Sequence, residues 1–208
     1  MDIFEVIKER RSYRSFSERS VENSKIEMIL EAANWAPSPA NSQPWEFIVI
    51  KSDKARAQVN EIAEASFSSN IVEIHGFSYV RPLPYGDESA EEKPLSSKYT
   101  LSFLKKVPVI IAVVGIPDTN ARQMLREKSS DGYKYACGAA IQNMLLTAHA
   151  QQLGSLWFTF FNGGTLSQYL NIDPGKHLVA LVFIGYPGED VPLSPGRFSI
   201  ESKVRRIE

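Results

Sequence analysis

The stretch VPVIIAVVG, residues 107–115, narrows the folds open to this chain more than any other feature. It is rich in β-branched residues and apolar on both faces, without the alternation of a half-solvated strand. It is also far too short to cross a bilayer as a helix, which takes about 20 residues. A strand of this kind belongs at the centre of a sheet whose two faces are both covered.

The remaining periodicities supply the cover. Residues 2–10 are expected to be a helix capped by Asp2, with Ile3, Val6 and Ile7 on one face. A second helix is expected from Ser24, where Ser24 and Glu27 have capping-box spacing, with Ile26, Ile29, Leu30 and Ala33 as its buried stripe. It should stop before Pro37, because the residue ahead of a proline is driven out of the helical region. WEFIVI (45–50) alternates as a strand, and 53–66 reads as a further helix. The clearest helix is 133–153, whose stripe is Cys137, Ala140, Ile141, Met144, Leu145 and Ala148, with Gly154 as its expected terminator. Much of its other surface is small or apolar too, so burial on two sides is expected. SLWFTFF (155–161) and LVALVFIG (178–185) read as strands, separated by a short helix near 165–171. The whole predicts one α+β domain over 1–208 with a covered central sheet. The proline-rich, acidic stretch 81–98 breaks the pattern and reads as a lid-like surface excursion or a tolerated insertion.

Composition sets limits on function. Lys plus Arg (23) nearly balances Asp plus Glu (24), so nothing supports a general polyanion-binding role and any basic site must be local. Neither a nucleic-acid nor a membrane partner is expected. The single cysteine, Cys137, excludes an intramolecular disulfide and fits a reducing compartment. The opening MDIFEVIKERR is charged where a signal peptide would be apolar, so a cytoplasmic location is expected. His75, His149 and His177 lack metal-ligand spacing and read as structural or solvent-facing. No Walker loop, dinucleotide fingerprint or nucleophile elbow is present.

Three polar clusters remain. ERRSYRSF (9–16) crowds Arg10, Arg11 and Arg14 around Ser12. One or two arginines can finish a helix, but Arg14 lies beyond it in an extended stretch. Guanidinium forks beside a hydroxyl suit a phosphate, each charge-assisted bond contributing about 1.5–3 kcal/mol. APSPANSQPW (36–45) sets Ser38, Asn41, Ser42 and Gln43 on a proline-stiffened loop, as the edge of a planar heterocycle requires; an ordinary helix-to-strand turn reads equally well. PGRFSIESKVRR (195–206) adds Arg197 in a basic tail.

Taken in this order, the clusters resemble the FMN-dependent nitroreductase family over nearly the whole chain. The matching residues are Arg10, Arg11, Ser12, Arg14 and Phe16, then Ala36–Trp45, then 138–158, then 180–189 with Arg197. The resemblance implies a three-layer α/β/α fold, with a central, mainly antiparallel sheet flanked by helices, in a homodimer holding FMN at the subunit interface. It assigns Arg10, Ser12 and Arg197 to the 5′-phosphate, with Arg11 close by. Arg14 goes to the pyrimidine edge, Pro37, Ser38, Asn41 and Gln43 to the flavin contact, and Thr159–Phe160 to a backbone donor near N5. It assigns no catalytic acid or base, since the flavin carries the chemistry. It implies a ping-pong reaction in which NAD(P)H gives a hydride to N5 and a nitroaromatic, quinone or similar electrophile takes the electrons. Thr159–Phe160 departs from the commoner pattern, which has glycine or a small or acidic residue there, and Phe160 or Phe161 is expected to narrow the cavity over the flavin. A reductive dehalogenase, a flavin-fragmenting enzyme and a non-catalytic FMN-binding protein share the same cofactor residues and stay as alternatives.

Overall fold

In a computed structural model that describes residues 2–74, 101–117, 131–189 and 197–207, Val109–Gly115 is a strand buried at every position. It is the second of four, with β1 (Trp45–Ile50), β2 (Val109–Gly115), β3 (Gly154–Phe158) and β4 (His177–Gly185) in the spatial order β1-β2-β4-β3. Every neighbouring pair is antiparallel. On one face Val109, Ile111 and Val113 lie opposite Ile184, Val182 and Ala180; on the other, Ile110 and Ala112 lie opposite Phe183 and Leu181. All ten side chains are buried, each contributing up to about 1.5–3 kcal/mol if large.

Among the described residues the helices are α1 (Ile3–Glu9), α2 (Asn23–Asn34), α3 (Asp53–Ile74), α4 (Gly132–Ala150) and α5 (Gly163–Tyr169), and the last four cover the sheet. The first sheet face packs against α2 and α4 through Ile29, Ala33, Ile141, Met144 and Leu145. The second packs against Val59 and Ala63 of α3, Leu166 of α5 and Leu104 of the short turn Leu101–Lys106. The α+β, three-layer architecture with an antiparallel sheet is therefore present. Among the described residues, no helix is long and apolar enough to cross a membrane. The excursion at 81–98 and His75 lie outside the described residues.

Five local expectations need correction. In α1, Asp2 does precede the helix, and its backbone N–H donates to Glu5 Oε2 at 3.1 Å. However, only Val6 of the expected face is buried, while Ile3, Phe4 and Ile7 are exposed. At α2 the helix starts one residue before Ser24, with Glu22 as its N-cap, so the Ser24–Glu27 spacing does not form a capping box. The third helix runs to Ile74 rather than stopping at 66, and β3 ends at Phe158, short of the phenylalanine pair.

The largest correction concerns Gly154. The terminator of α4 is Gln152, at φ 62°, and the chain closes with Gln152 N–H on His149 O and Leu153 N–H on Ala148 O, both at 2.9 Å. That is a Schellman motif with a non-glycine residue in its left-handed position, which costs roughly 1–2 kcal/mol. Leu153, buried to 1% exposure, offsets the cost by docking in the core. Gly154 instead opens β3, where a Cβ would stand 2.8 Å from Cγ of Tyr13. The glycine is needed for a close approach, not for a turn.

Candidate functional site

Tyr13 is the middle of the arginine segment, so its contact with Gly154 begins the site. The Tyr13 N–H donates to Ser155 O at 3.0 Å, and Ser12 and Ser155 form an isolated parallel bridge. Further on, Ser17 N–H donates to Tyr186 O and Gly188 N–H to Ser15 O, each at 3.0 Å, while Phe16 is buried. The segment that carries the arginines is thus clipped to the outer edge of β3 and to the exit of β4. Arg19 lies 3.7 Å over the Tyr186 ring, and the Tyr186 hydroxyl donates to Glu22 Oε2 at 2.8 Å. Lys25 Nζ donates to the same hydroxyl at 3.0 Å.

On this frame the arginines divide. Arg10 ends α1 and is half-buried, with its backbone N–H on Val6 O. No described carboxylate forms an ion pair with it. Its pKa is pushed below the ordinary arginine value by burial first, then by the positive charges of Arg11 and Arg197. Residues 187 positions apart in sequence therefore repel each other across a small volume, an arrangement that an anion relieves. The Arg11 guanidinium donates to Lys8 O and, at 3.0 Å, to Arg10 O, so it closes the carbonyl end of α1. Arg14 is exposed and its guanidinium reaches Ser12 O at 3.3 Å.

The second cluster leaves α2 after Asn34, whose Oδ1 accepts from Trp45 Nε1 at 3.1 Å. Between these anchors Ala40 (φ 52°), Asn41 (φ 54°) and Gln43 (φ 45°) all sit in the left-handed region. Three such non-glycine residues in one loop represent stored backbone strain of the kind concentrated at ligand contacts. The Ser38 hydroxyl accepts from the Gln43 N–H at 2.9 Å and holds the loop closed. Pro37, Asn41 and Gln43 remain exposed. Burial pushes the Cys137 thiol up to about 11, so it stays protonated, and its Sγ lies 3.6 Å from Pro44 O. Contact with α4 thus fixes the loop's far end.

Thr159 and Phe160 lie just past β3 and are exposed, and the Phe161 N–H turns back onto Thr159 O at 3.1 Å. Phe160 projects outward at 56% exposure, its ring centroid 6.1 Å from that of Phe158. The Gly163–Gly164 pair opens α5 behind an Asn162 cap, whose Oδ1 accepts from Thr165 N–H at 3.1 Å. A groove of about 780 Å³ lies elsewhere, between α3 and Lys105–Pro108, and none of the candidate residues lines it.

One neighbour was not legible from sequence. His149, in the last turn of α4, has a buried Nε2 without a hydrogen-bond partner, 3.9 Å from Glu9 Oε2. Burial is the main cause of a pKa below the usual histidine value; Glu9 opposes the shift, and Arg10 and Arg11 add to it. Nothing at position 149 signals a cluster that is 139 residues away in the chain.

Comparison with known proteins places these features. Iodotyrosine deiodinase of Hydra vulgaris is 29% identical over 197 residues, covering 91% of this chain and 66% of that protein. A Methanothermobacter thermautotrophicus protein, provisionally named NADH dehydrogenase/NAD(P)H nitroreductase, is 31% identical over 157 residues, covering 76% of this chain and 60% of its own length. The chain thus spans just under two thirds of these relatives. A candidate nitroreductase of Desulfovibrio desulfuricans, crystallised in complex with FMN, superposes with a TM-score of 0.67 at 27% identity, covering 100% of this chain and 98% of its own. The sequence model described as the Nitroreductase family matches residues 7–186, from within α1 to beyond β4. The chain belongs to the Nitroreductase family.

Proposed function

We propose that this chain is an FMN-dependent oxidoreductase that takes reducing equivalents from NAD(P)H and passes them to a small electrophile. The observation that carries the reading is the half-buried Arg10, without a described carboxylate partner and crowded by Arg11 and Arg197. FMN supplies hydride acceptance and donation between two substrates that use one cavity in turn. Arg10, Ser12 and Arg197 bind its phosphate, and Arg11 holds the end of α1 beside them. Arg14, whose guanidinium donates to Ser12 O, would hold the pyrimidine edge, where a fixed positive charge favours electron-rich flavin. The strained loop Pro37–Gln43 orients the ring, and backbone at Thr159–Phe160 supplies a donor.

The working unit in this proposal is a homodimer. Ile3, Phe4 and Ile7 on α1, Trp35 after α2, and Phe198 and Ile200 in the tail are exposed apolar side chains that a lone protomer leaves in water. A second copy covers them and closes the cavity that one chain leaves open. A reductive dehalogenase is the second reading, favoured by the Hydra vulgaris deiodinase relative.

The test is the visible spectrum of the purified protein, followed by anaerobic titration with NADH and with NADPH. A flavin spectrum that bleaches stoichiometrically with either donor supports the oxidoreductase. A flavin spectrum that ignores both donors, with dithionite-reduced protein removing iodide from 3-iodotyrosine, moves the assignment to the dehalogenase. A colourless protein that cannot be reconstituted with FMN overturns both.

A further inference from the structure

His149 is a titratable side chain beside the arginine cluster, with a buried ring nitrogen, that the proposed cofactor contacts do not use. Its surroundings are unusual for a structural histidine. The ring is on the last turn of α4, facing the end of α1, which packs on that helix. The side chain is only 16% exposed, and its Nε2 has no hydrogen-bond partner. The charged groups facing it are Glu9, the last residue of α1, and Arg10 and Arg11 immediately beyond. At 3.9 Å, Glu9 Oε2 is too far for a hydrogen bond but close enough to form one with a small movement of a terminal residue. A buried ring nitrogen left without a partner costs free energy, and most buried polar side-chain atoms have one.

We propose that His149 is a positioning residue for the phosphate-binding arginines: an anion held by Arg10 lets His149 take up a proton and close onto Glu9, drawing the end of α1 against α4. This inference rests on the FMN reading above. The physical chain is short. With the anion site empty, two guanidiniums and burial disfavour a charge on His149. A phosphate dianion offsets both guanidiniums, and the proton enters from solvent onto Nε2, which then donates to the Glu9 carboxylate. The contact fixes the residue that precedes Arg10, so that the guanidinium is held where the phosphate needs it. By linkage, a group whose proton affinity rises on binding makes the ligand bind more tightly at lower pH, and less tightly as pH rises through the histidine range.

The experiment uses the full chain stripped of flavin. FMN affinity is measured by flavin fluorescence across about pH 5 to 8, the range in which a histidine titrates, for the parent and for His149→Gln and His149→Asn. The phosphate of FMN itself titrates near pH 6, but identically in all three proteins, so their ratio isolates His149. Relative to the variants, the parent should lose about threefold or more in affinity as pH rises, one proton permitting at most about tenfold per unit. Parallel profiles overturn the inference while leaving FMN binding intact.

A second measurement needs no change at position 149. Imidazole NMR titration of the parent, with His75→Gln and His177→Gln used to assign the resonances, should show His149 titrating higher with FMN than without. Riboflavin, which has no phosphate, should not move it. An equal shift with riboflavin, or none with bound FMN, removes the proposal. Absence of any FMN binding removes the functional reading, and this inference with it.

Discussion

At the residue scale, the arginines of the N-terminal segment differ in what they are held to do. Arg11 donates to carbonyls at the end of α1, whereas Arg10 is pressed against like charges without a described carboxylate to balance it. Substituting Arg10 by Ala should therefore weaken FMN binding by roughly 10- to 100-fold, the loss of about 1.5–3 kcal/mol of charged hydrogen bonding. Arg11→Ala should act more on the stability of α1 than on affinity. Fluorescence titration alongside thermal melts separates the two, and equal effects on both quantities would contradict the division. Glu22 supplies a pH signature that needs no ligand. Its carboxyl is lowered from 4.5 to about 2 by a hydrogen bond from its own backbone N–H, then by the Tyr186 hydroxyl and Arg19. The folded-state value lies below the unfolded one, so the associated stabilisation is complete above the unfolded value and is lost as pH falls toward about 2. The Tm gap between the parent and Glu22→Gln should narrow over that acid window and stay constant above it. A gap unchanged on acidification would show that the Tyr186–Glu22 contact does not persist in solution.

At the scale of elements, what could be read from sequence and what could not have separate physical causes. Strands β2 and β4 and the stripe of α4 were legible because burial on a sheet face or helix face leaves a period in the residues themselves. The arginine and Pro37–Gln43 clusters were legible as chemistry because polar groups were grouped locally. Element ends such as the start of α2 were missed by local margins, and the larger errors fell where a residue's role is set by a distant partner. Gly154 reads as a helix terminator because it follows a helix, yet its lack of a side chain serves Tyr13, which no local rule can reveal. Ile3 and Ile7 have helical spacing, but spacing cannot say whether a helix face meets the core, and both are exposed. His149 offered no pattern at all. The Gly154–Tyr13 contact makes its own prediction. Gly154→Ala places a methyl group 2.8 Å from the Tyr13 ring and should destabilise the protein by about 1–3 kcal/mol in urea unfolding. Because Tyr13 sits between Ser12 and Arg14, FMN affinity should fall as well. Full affinity in a destabilised Gly154→Ala protein would show that the segment adjusts independently of β3.

At the scale of the whole molecule, exposed apolar side chains on α1 (Ile3 at 63%, Phe4 at 58%) and Trp35 at 80% are what the proposed homodimer would cover. Ile3→Glu combined with Phe4→Glu should shift sedimentation from dimer to monomer and reduce flavin retention together. A parent that sediments as a monomer with FMN bound would remove the subunit argument while leaving the phosphate site untouched.

The bridge between the arginine segment and β3 also bears on how the chain comes into being. Residues 12–17 are ordered by Ser155, Tyr186 and Gly188, which a ribosome adds well over 100 residues later. A nascent chain therefore carries Arg10 and Arg14 before the sheet that orders their segment is complete, and Arg197, the third arginine of the proposed site, follows that sheet. Cofactor capture becomes a late event by construction, and flavin fluorescence during refolding should lag the far-ultraviolet signal of the helices. A cell in which flavin is scarce would then accumulate molecules with a finished sheet and a loosely held N-terminal segment.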